Sequence, residues 1–217
     1  MAEQIAWQTA SNVTGALAEG EIDLWKISLL QPEEKIAHLQ SLLSADERRR
    51  AARFKFERHR RRFIVARAAL RDILAGYVQT KGRQILFEYE QHGKPKISDA
   101  QNPNDFTFNL SHSGELAVLA VTQRRMIGVD VEHLERTLGD ADRIARRFFS
   151  ASESAQFLKL PQQQKTEAFF NCWTRKEAYI KAIGKGLSYP LKDFEVSLSP
   201  DGANCLLGIE GSRAQAQ

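Results

Sequence analysis

Two short segments carry the residues best suited to chemistry. In Trp173-Thr-Arg-Lys-Glu177-Ala-Tyr-Ile-Lys181 the spacing i, i+4, i+8 puts Trp173, Glu177 and Lys181 on one face of a helix. In Ile127-Gly-Val-Asp130-Val-Glu132, apolar and acidic residues alternate. Period 2 predicts a strand with Asp130 and Glu132 on one face and Val129 and Val131 on the other. Neighbouring carboxylates repel unless solvent, a proton or a cation separates them. By themselves these are the features of an exposed helix salt bridge and the wet face of an edge strand. Together, Asp130, Glu132 and Glu177 are three hard oxygen donors with no cysteine and no necessary histidine. That chemistry suits Mg²⁺ or Mn²⁺, which keeps several waters and completes its shell with substrate phosphate.

The charge distribution points the same way. The chain carries a formal net charge of +4 and a pI near 9.1. From Asp46 to Arg71 there are eleven basic residues, including Arg50, Arg53 and Arg62, against three acidic ones. Such a field draws polyanions: nucleic acid, a phosphorylated cofactor or an acidic protein. A metal nuclease or other phosphohydrolase would share the acidic cluster and the basic field. An arginine-rich nucleic-acid-binding module without enzymatic activity would explain the field alone. It ranks last, because it leaves the Asp-x-Glu and Glu-x3-Lys pairs without a purpose.

Composition bounds the class. At 217 residues and 42% hydrophobic, the chain suits one large or two small packed domains. The longest apolar run, Leu116–Val121, is far short of the roughly twenty residues of a membrane span. The N-terminal residues lack a basic region followed by an apolar one, so no secretory signal is read. Cys172 and Cys205 give neither a disulfide framework nor a zinc pattern. A cytoplasmic protein without a membrane partner is expected.

The elements that must position these residues follow from periodicity and punctuation. Residues 1–20 are small and polar and are expected to be poorly ordered. Glu21–Ser28 reads as a strand with Ile22, Leu24 and Ile27 inward. Pro32 opens a helix to about Leu43, and Ser44 caps another to about Phe54, with Asp46 and Glu47 in its first turn. A longer helix spans Glu57–Val78, with Phe63, Ala66, Leu70, Ile73 and Leu74 as its stripe. Strands are predicted at 85–89 and 106–110, around a loop carrying Gly93 and Pro95, and 116–123 and 126–132 as a hairpin turning at Gln123-Arg-Arg. Short helices begin at Arg143 and Ala151, and a long one spans 164–183, where Gly184 is available for a left-handed cap. Strands 194–198 and 204–209 flank Pro200-Asp-Gly. Both halves run helices into antiparallel strands, an α+β duplication with its seam near 122–126 and no visible residue-level repeat.

At this point the sequence resembles a known family. Gly-Lys-Pro (93–95), Phe-Asn-Leu-Ser-His-Ser (108–113), Gly-Val-Asp-Val-Glu (128–132) and Trp-x-x-Lys-Glu-Ala-x-x-Lys-Ala-x-Gly-x-Gly-Leu (173–187) resemble, in order and spacing, the 4′-phosphopantetheinyl transferases. The gaps fit their larger, pseudodimeric class, and the resemblance covers roughly residues 20–200. It implies a pseudo-twofold pair of α+β subdomains, each a helix on a small antiparallel sheet. Residues 1–123 would hold the cofactor, 124–217 would hold the metal and catalytic residues, and the active site would lie at the interface of a monomer. It also implies transfer of 4′-phosphopantetheine from coenzyme A to a serine of an acidic acyl or peptidyl carrier protein, with Mg²⁺ on Asp130, Glu132 and Glu177.

In the same way it implies residue roles. Glu177 is the candidate general base, with Glu132 as the alternative, and Lys181 would neutralise or protonate the departing bisphosphate. Lys94 and Pro95 would line the adenine pocket, Ser111 and His112 would contact phosphate, and Arg50, Arg53 and Arg62 would hold the 3′-phosphate. Arg143, Arg146 and Arg147, followed by Phe148 and Phe149, would form a carrier-docking surface. One departure stands out: the family pattern has a further apolar strand where this sequence ends in Gly211-Ser-Arg-Ala-Gln-Ala-Gln217. Either the sequence is truncated there or that strand is dispensable.

Overall fold

A computed structural model of the chain describes residues 17–18, 20–135, 139–199 and 206–209. The readings for residues 1–16, the Pro200-Asp-Gly turn and the tail 211–217 lie outside the described residues. The chain divides by its internal contacts into two compact units, Met1–Val131 and Glu132–Gln217.

In the first unit, β1 (Ile22–Ser28), β5 (Leu116–Gln123) and β4 (Phe106–Ser113) form an antiparallel sheet in the order β1-β5-β4. Trp25 lies opposite Leu119, and Leu119 lies opposite Leu110. The inward face of β1 is carried by Trp25 and Ile27, while Ile22 is 51% exposed and Leu24 half-buried. Residues 22, 24 and 27 cannot share one face of a regular strand, and the large Trp25 ring decides which face turns in. Its indole Nε1 donates to Tyr77 Oη at 3.0 Å, and the Tyr77 hydroxyl donates to Asp23.

Helices α1 (Glu33–Ser41), α2 (Ala45–Ala52) and α3 (Glu57–Tyr77) supply the rest of this core. Ile64, Ala68, Leu70 and Leu74 of α3 are inaccessible to solvent and belong to one cluster with Trp25, Phe108 and Leu119. Phe87–Tyr89 (β2) and Pro95–Ile97 (β3) pair antiparallel, with Tyr89 opposite Pro95. Pro95 therefore opens a strand rather than lying in a loop. Its missing N–H costs nothing at a strand's first position.

The sequence-predicted N-cap at Ser44 is a full capping box. The Ser44 hydroxyl accepts from the Glu47 amide, and the Glu47 carboxylate accepts from the Ser44 amide at 3.0 Å. Glu47 is also 2% exposed, and its carboxylate receives Arg71 Nε at 2.6 Å and the Arg67 guanidinium. Arg71, equally buried, donates in addition to the Gly82 and Ile85 carbonyls at 3.1 and 2.9 Å. Burial pushes the Glu47 carboxyl up, but hydrogen bonds from Arg71 and the charge of Arg67 outweigh it and hold it below its ordinary value. Two of the eleven clustered cations are thus internal fastenings rather than part of a surface field.

The second unit repeats this plan. α4 (Ala141–Phe148), α5 (Ala151–Leu158) and α6 (Gln162–Ala182) are followed by β6 (Phe194–Val196), which pairs antiparallel with β7 (Leu206–Ile209). Ser150 and Glu153 form a second capping box on α5. Glu153 is 1% exposed, and its Oε2 lies 2.8 Å from Lys176 Nζ, itself fully buried. Lys176 also donates to the Leu191 and Phe194 carbonyls at 2.7 and 2.6 Å. Arg71 and Lys176 each occupy the fifteenth position of a 21-residue helix, and each grips two carbonyls three residues apart around a 3-10 turn. This is a residue-level repeat, and it lies in buried polar groups rather than in sequence identity. The α+β plan is therefore present in both units. Among the described residues no helix is long and apolar enough to cross a membrane.

Candidate active site

The acidic segment does not form the predicted hairpin strand. β5 pairs with β1 and β4, and residues 126–133 have no regular structure. They are held by side chains instead. Thr107 donates through Oγ1 to the Arg125 carbonyl. Two residues along β4, Asn109 Oδ1 accepts the Val129 amide at 2.9 Å. After another two, Ser111 Oγ donates to Asp130 Oδ1 at 2.8 Å. Lys94 Nζ, from the loop between β2 and β3, reaches the Ile127 carbonyl at 3.1 Å. The opposite face of β4 puts Phe106 and Phe108 into the core. Period 2 thus divides the Phe-Asn-Leu-Ser motif into an apolar face and a polar face that bears the acidic segment. The first compact unit runs to Val131 and so includes these tethered residues.

Of the sequence-predicted site residues, the structure brings Lys94, Ser111 and Asp130 onto this one support. His112 is exposed and turned to the other side of β4 from Ser111. Lys94 is half-buried, and burial holds its pKa below the ordinary lysine value against the opposing pull of Glu90. Pro95 follows it at the start of β3.

Glu177 and Lys181 lie one turn apart on α6, and both are half-buried. The helix ends as expected, with Ile183 as C-cap and Gly184 at φ 69°, which glycine adopts without strain. Trp173, one turn before Glu177, stacks on Phe169 at 6.0 Å and meets Phe148 edge-on at 5.8 Å. Phe169 belongs to the core of this unit, with Trp173 and Phe148 packed against it. Sequence reasoning passed over Lys176, whose three buried contacts clamp α6 immediately beside Glu177. The signal available was Ser150-Ala-Ser-Glu153, a capping-box pattern.

The arginines proposed for one phosphate have different neighbours. Arg62 is paired to Glu115, so an anion would have to displace that carboxylate. The Arg50 guanidinium lies 5.3 Å from the centre of the Phe63 ring. Arg53, exposed, is the C-cap of α2. Among the described residues neither Arg50 nor Arg53 makes an ion pair with a carboxylate. On α4, Arg143, Arg146 and Arg147 are exposed, Phe148 is half-buried and Phe149 is 1% exposed. Of the two aromatics, Phe148 alone can present apolar surface beside the basic rim.

Among the described residues no group of three His, Cys, Asp or Glu side chains gathers as a metal site. The fit to a divalent ion rests on donor chemistry. Asp130, Glu132 and Glu177 offer only oxygen, and Mg²⁺ needs one or two carboxylates besides waters and substrate phosphate.

Comparison with known proteins covers both halves of the chain. A family model described as the 4′-phosphopantetheinyl transferase N-terminal domain matches residues 29–124, and one for the 4′-phosphopantetheinyl transferase superfamily matches 126–216. The 4′-phosphopantetheinyl transferase HetI of Nostoc sp. is 45% identical over 184 residues, covering 85% of this chain and 77% of the relative. The corresponding enzyme psf-1 of Bacillus pumilus is 39% identical, covering 78% and 70%. Sfp of Bacillus subtilis is 33% identical, covering 78% and 73%. With both halves matched and the acidic segment and the Glu177 helix falling within the second, this chain is a transferase belonging to the 4′-phosphopantetheinyl transferase superfamily.

Proposed function

We propose that this chain moves the 4′-phosphopantetheine group of coenzyme A onto a serine of an acidic acyl or peptidyl carrier protein, in the cytoplasm and as a monomer. The single observation that carries the reading is the match of both halves to the family, with its four motifs in order. In the reaction the serine oxygen attacks the β-phosphorus of coenzyme A. The bond from that phosphorus to the oxygen bridging the two phosphates breaks, and adenosine 3′,5′-bisphosphate leaves. The serine proton passes to Glu177, or to Glu132 in its place, as general base. Lys181, one turn from Glu177, neutralises the departing phosphate. Asp130, Glu132 and Glu177 would hold Mg²⁺ or Mn²⁺, which when bound supplies charge neutralisation at the pyrophosphate. The remaining work is in-line positioning, the main protein contribution to phosphoryl-type transfers.

The test is intact-mass analysis of apo carrier proteins incubated with the protein, coenzyme A and Mg²⁺. A gain of one phosphopantetheine per carrier is expected. Unmodified carriers across a panel from fatty-acid, polyketide and peptide synthesis would overturn the reading.

Two variants examine the substrates separately. If Arg50 grips the 3′-phosphate, dephospho-coenzyme A should bind more weakly than coenzyme A, and Arg50→Ala should erase the difference. Guanidinium forks suit this group, and such charge-assisted bonds contribute about 1.5–3 kcal/mol. Calorimetry giving wild type equal affinity for both ligands would remove the assignment. Arg146→Glu should weaken carrier affinity and its salt dependence while leaving coenzyme A affinity unchanged, because rim charges act mainly on association. Loss of coenzyme A binding in that variant would place the docking surface elsewhere.

A further inference from the structure

One of the buried polar side chains that the mechanism does not use lies beside the acidic segment. Asn109 is 8% exposed and stands between Thr107 and Ser111 on the polar face of β4. Its Oδ1 receives the backbone amide next to Asp130, at 2.9 Å. No strand runs alongside to take that amide, since residues 126–133 have no regular structure. Val129 is half-buried, and a backbone N–H shielded from water is costly without an acceptor, so the side chain that supplies one helps to set the path of the chain. Thr107 and Lys94 fix the Arg125 and Ile127 carbonyls, and Ser111 fixes one oxygen of the Asp130 carboxylate. Asn109 holds the backbone at the residue immediately before Asp130.

We propose that Asn109 is a positioning residue: through the Val129 amide it sets the direction in which Asp130 presents its carboxylate to a divalent cation. The inference rests on the metal assignment made above, and it gives Asn109 a role in the reaction without contact with substrate. Side chains that orient ligands in this way change metal affinity by about 10–100-fold when removed. β4 thereby acts in two ways, packing Phe106 and Phe108 into the core and carrying the acidic segment on Thr107, Asn109 and Ser111.

The test compares Asn109→Leu, which fills similar space with no acceptor, and Asn109→Asp, which keeps an acceptor for the Val129 amide. Hydrogen–deuterium exchange of the whole chain, and Mn²⁺ affinity by calorimetry without substrate, are measured for both. Asn109→Leu should speed exchange selectively in residues 126–131 and weaken Mn²⁺ binding at least about tenfold. Asn109→Asp should restore protection of that segment. A merely structural role would instead raise exchange throughout β4 and β5 together. Wild-type protection of 126–131 in Asn109→Leu, or uniform loss of protection, overturns the proposal. Asp130→Asn separates the two readings. If it binds Mn²⁺ as wild type does, the metal assignment fails. If it loses the metal while Asn109→Leu keeps wild-type affinity, the positioning role fails.

Discussion

Glu177→Gln is expected to fold as the wild type does and to lose about 10²–10⁴-fold in turnover, the range set by removal of a general base. The substitution keeps the shape of the side chain and a helix-favouring residue on α6. It removes the negative charge on which both proposed roles of Glu177, proton acceptor and cation ligand, depend. Stopped-time carrier modification in saturating Mg²⁺ reads the rate, and circular dichroism checks the fold. Turnover within threefold of wild type would end the role of Glu177 in both capacities. Comparison with Glu132→Gln then identifies the base: the true base leaves a rate that no longer rises with pH, whereas a ligand alone leaves the rise intact.

The second large effect concerns stability. Lys176→Met should destabilise the second unit by about 3–5 kcal/mol, the cost of leaving one member of a buried ion pair without its partner. Glu153 would keep its capping bond to Ser150 at 2.7 Å and the Val196 amide at 2.7 Å, but it would lose its counter-charge. The Leu191 and Phe194 carbonyls would lose a shared donor. For a chain of this size such a loss lowers the unfolding midpoint by roughly 10 °C. The double variant Lys176→Met with Glu153→Gln should recover a large part of it, because a buried pair replaced as a whole is often near neutral. Thermal melts of the three variants measure this, and a single variant within about 2 °C of wild type would contradict it.

The arrangement on α6 links the two predictions. Lys176 and Glu177 are adjacent, so the fully buried cation fixes the rotation of the helix that carries the half-buried carboxylate. A similar clamp in the first unit, Arg71 on Glu47, is followed by Asp72 in place of a glutamate. The clamp belongs to the architecture of both units. The chemistry is assigned to the second one's long helix and to the segment that leads into it.

Local rules carried the reading of the helices. Ser44 and Ser150 begin helices because a hydroxyl followed three residues later by glutamate satisfies amides that no helical carbonyl reaches. Gly184 ends α6 because glycine, having no Cβ, adopts the left-handed backbone there without strain. The candidate residues were legible for a related reason. Asp130, Glu132, Glu177 and Lys181 sit in short motifs whose order and spacing carry the family. The long-range choices were not legible. Ile22, Leu24, Trp25 and Ile27 offered two inward faces for β1, and the contact of Trp25 with Tyr77, far along the chain, selected one.

By itself the sequence determined the α+β class, the helices with their approximate ends and the family, and it offered candidate groups for phosphate and cation. Each of these depends on residue type and on spacing within a turn or two. Only the tertiary structure decided that residues 126–133 are not a strand. Alternation of valine with acid states which side chains could share a face, but it does not state whether a neighbouring backbone is free to pair. Here β5 is already flanked by β1 and β4, and the acidic segment is carried by Thr107, Asn109 and Ser111 instead. The buried pairs Glu47–Arg71 and Glu153–Lys176 were hidden for the same physical reason. A charge is legible in sequence, whereas its removal from water and the partner that compensates it exist only once distant parts of the chain have packed together.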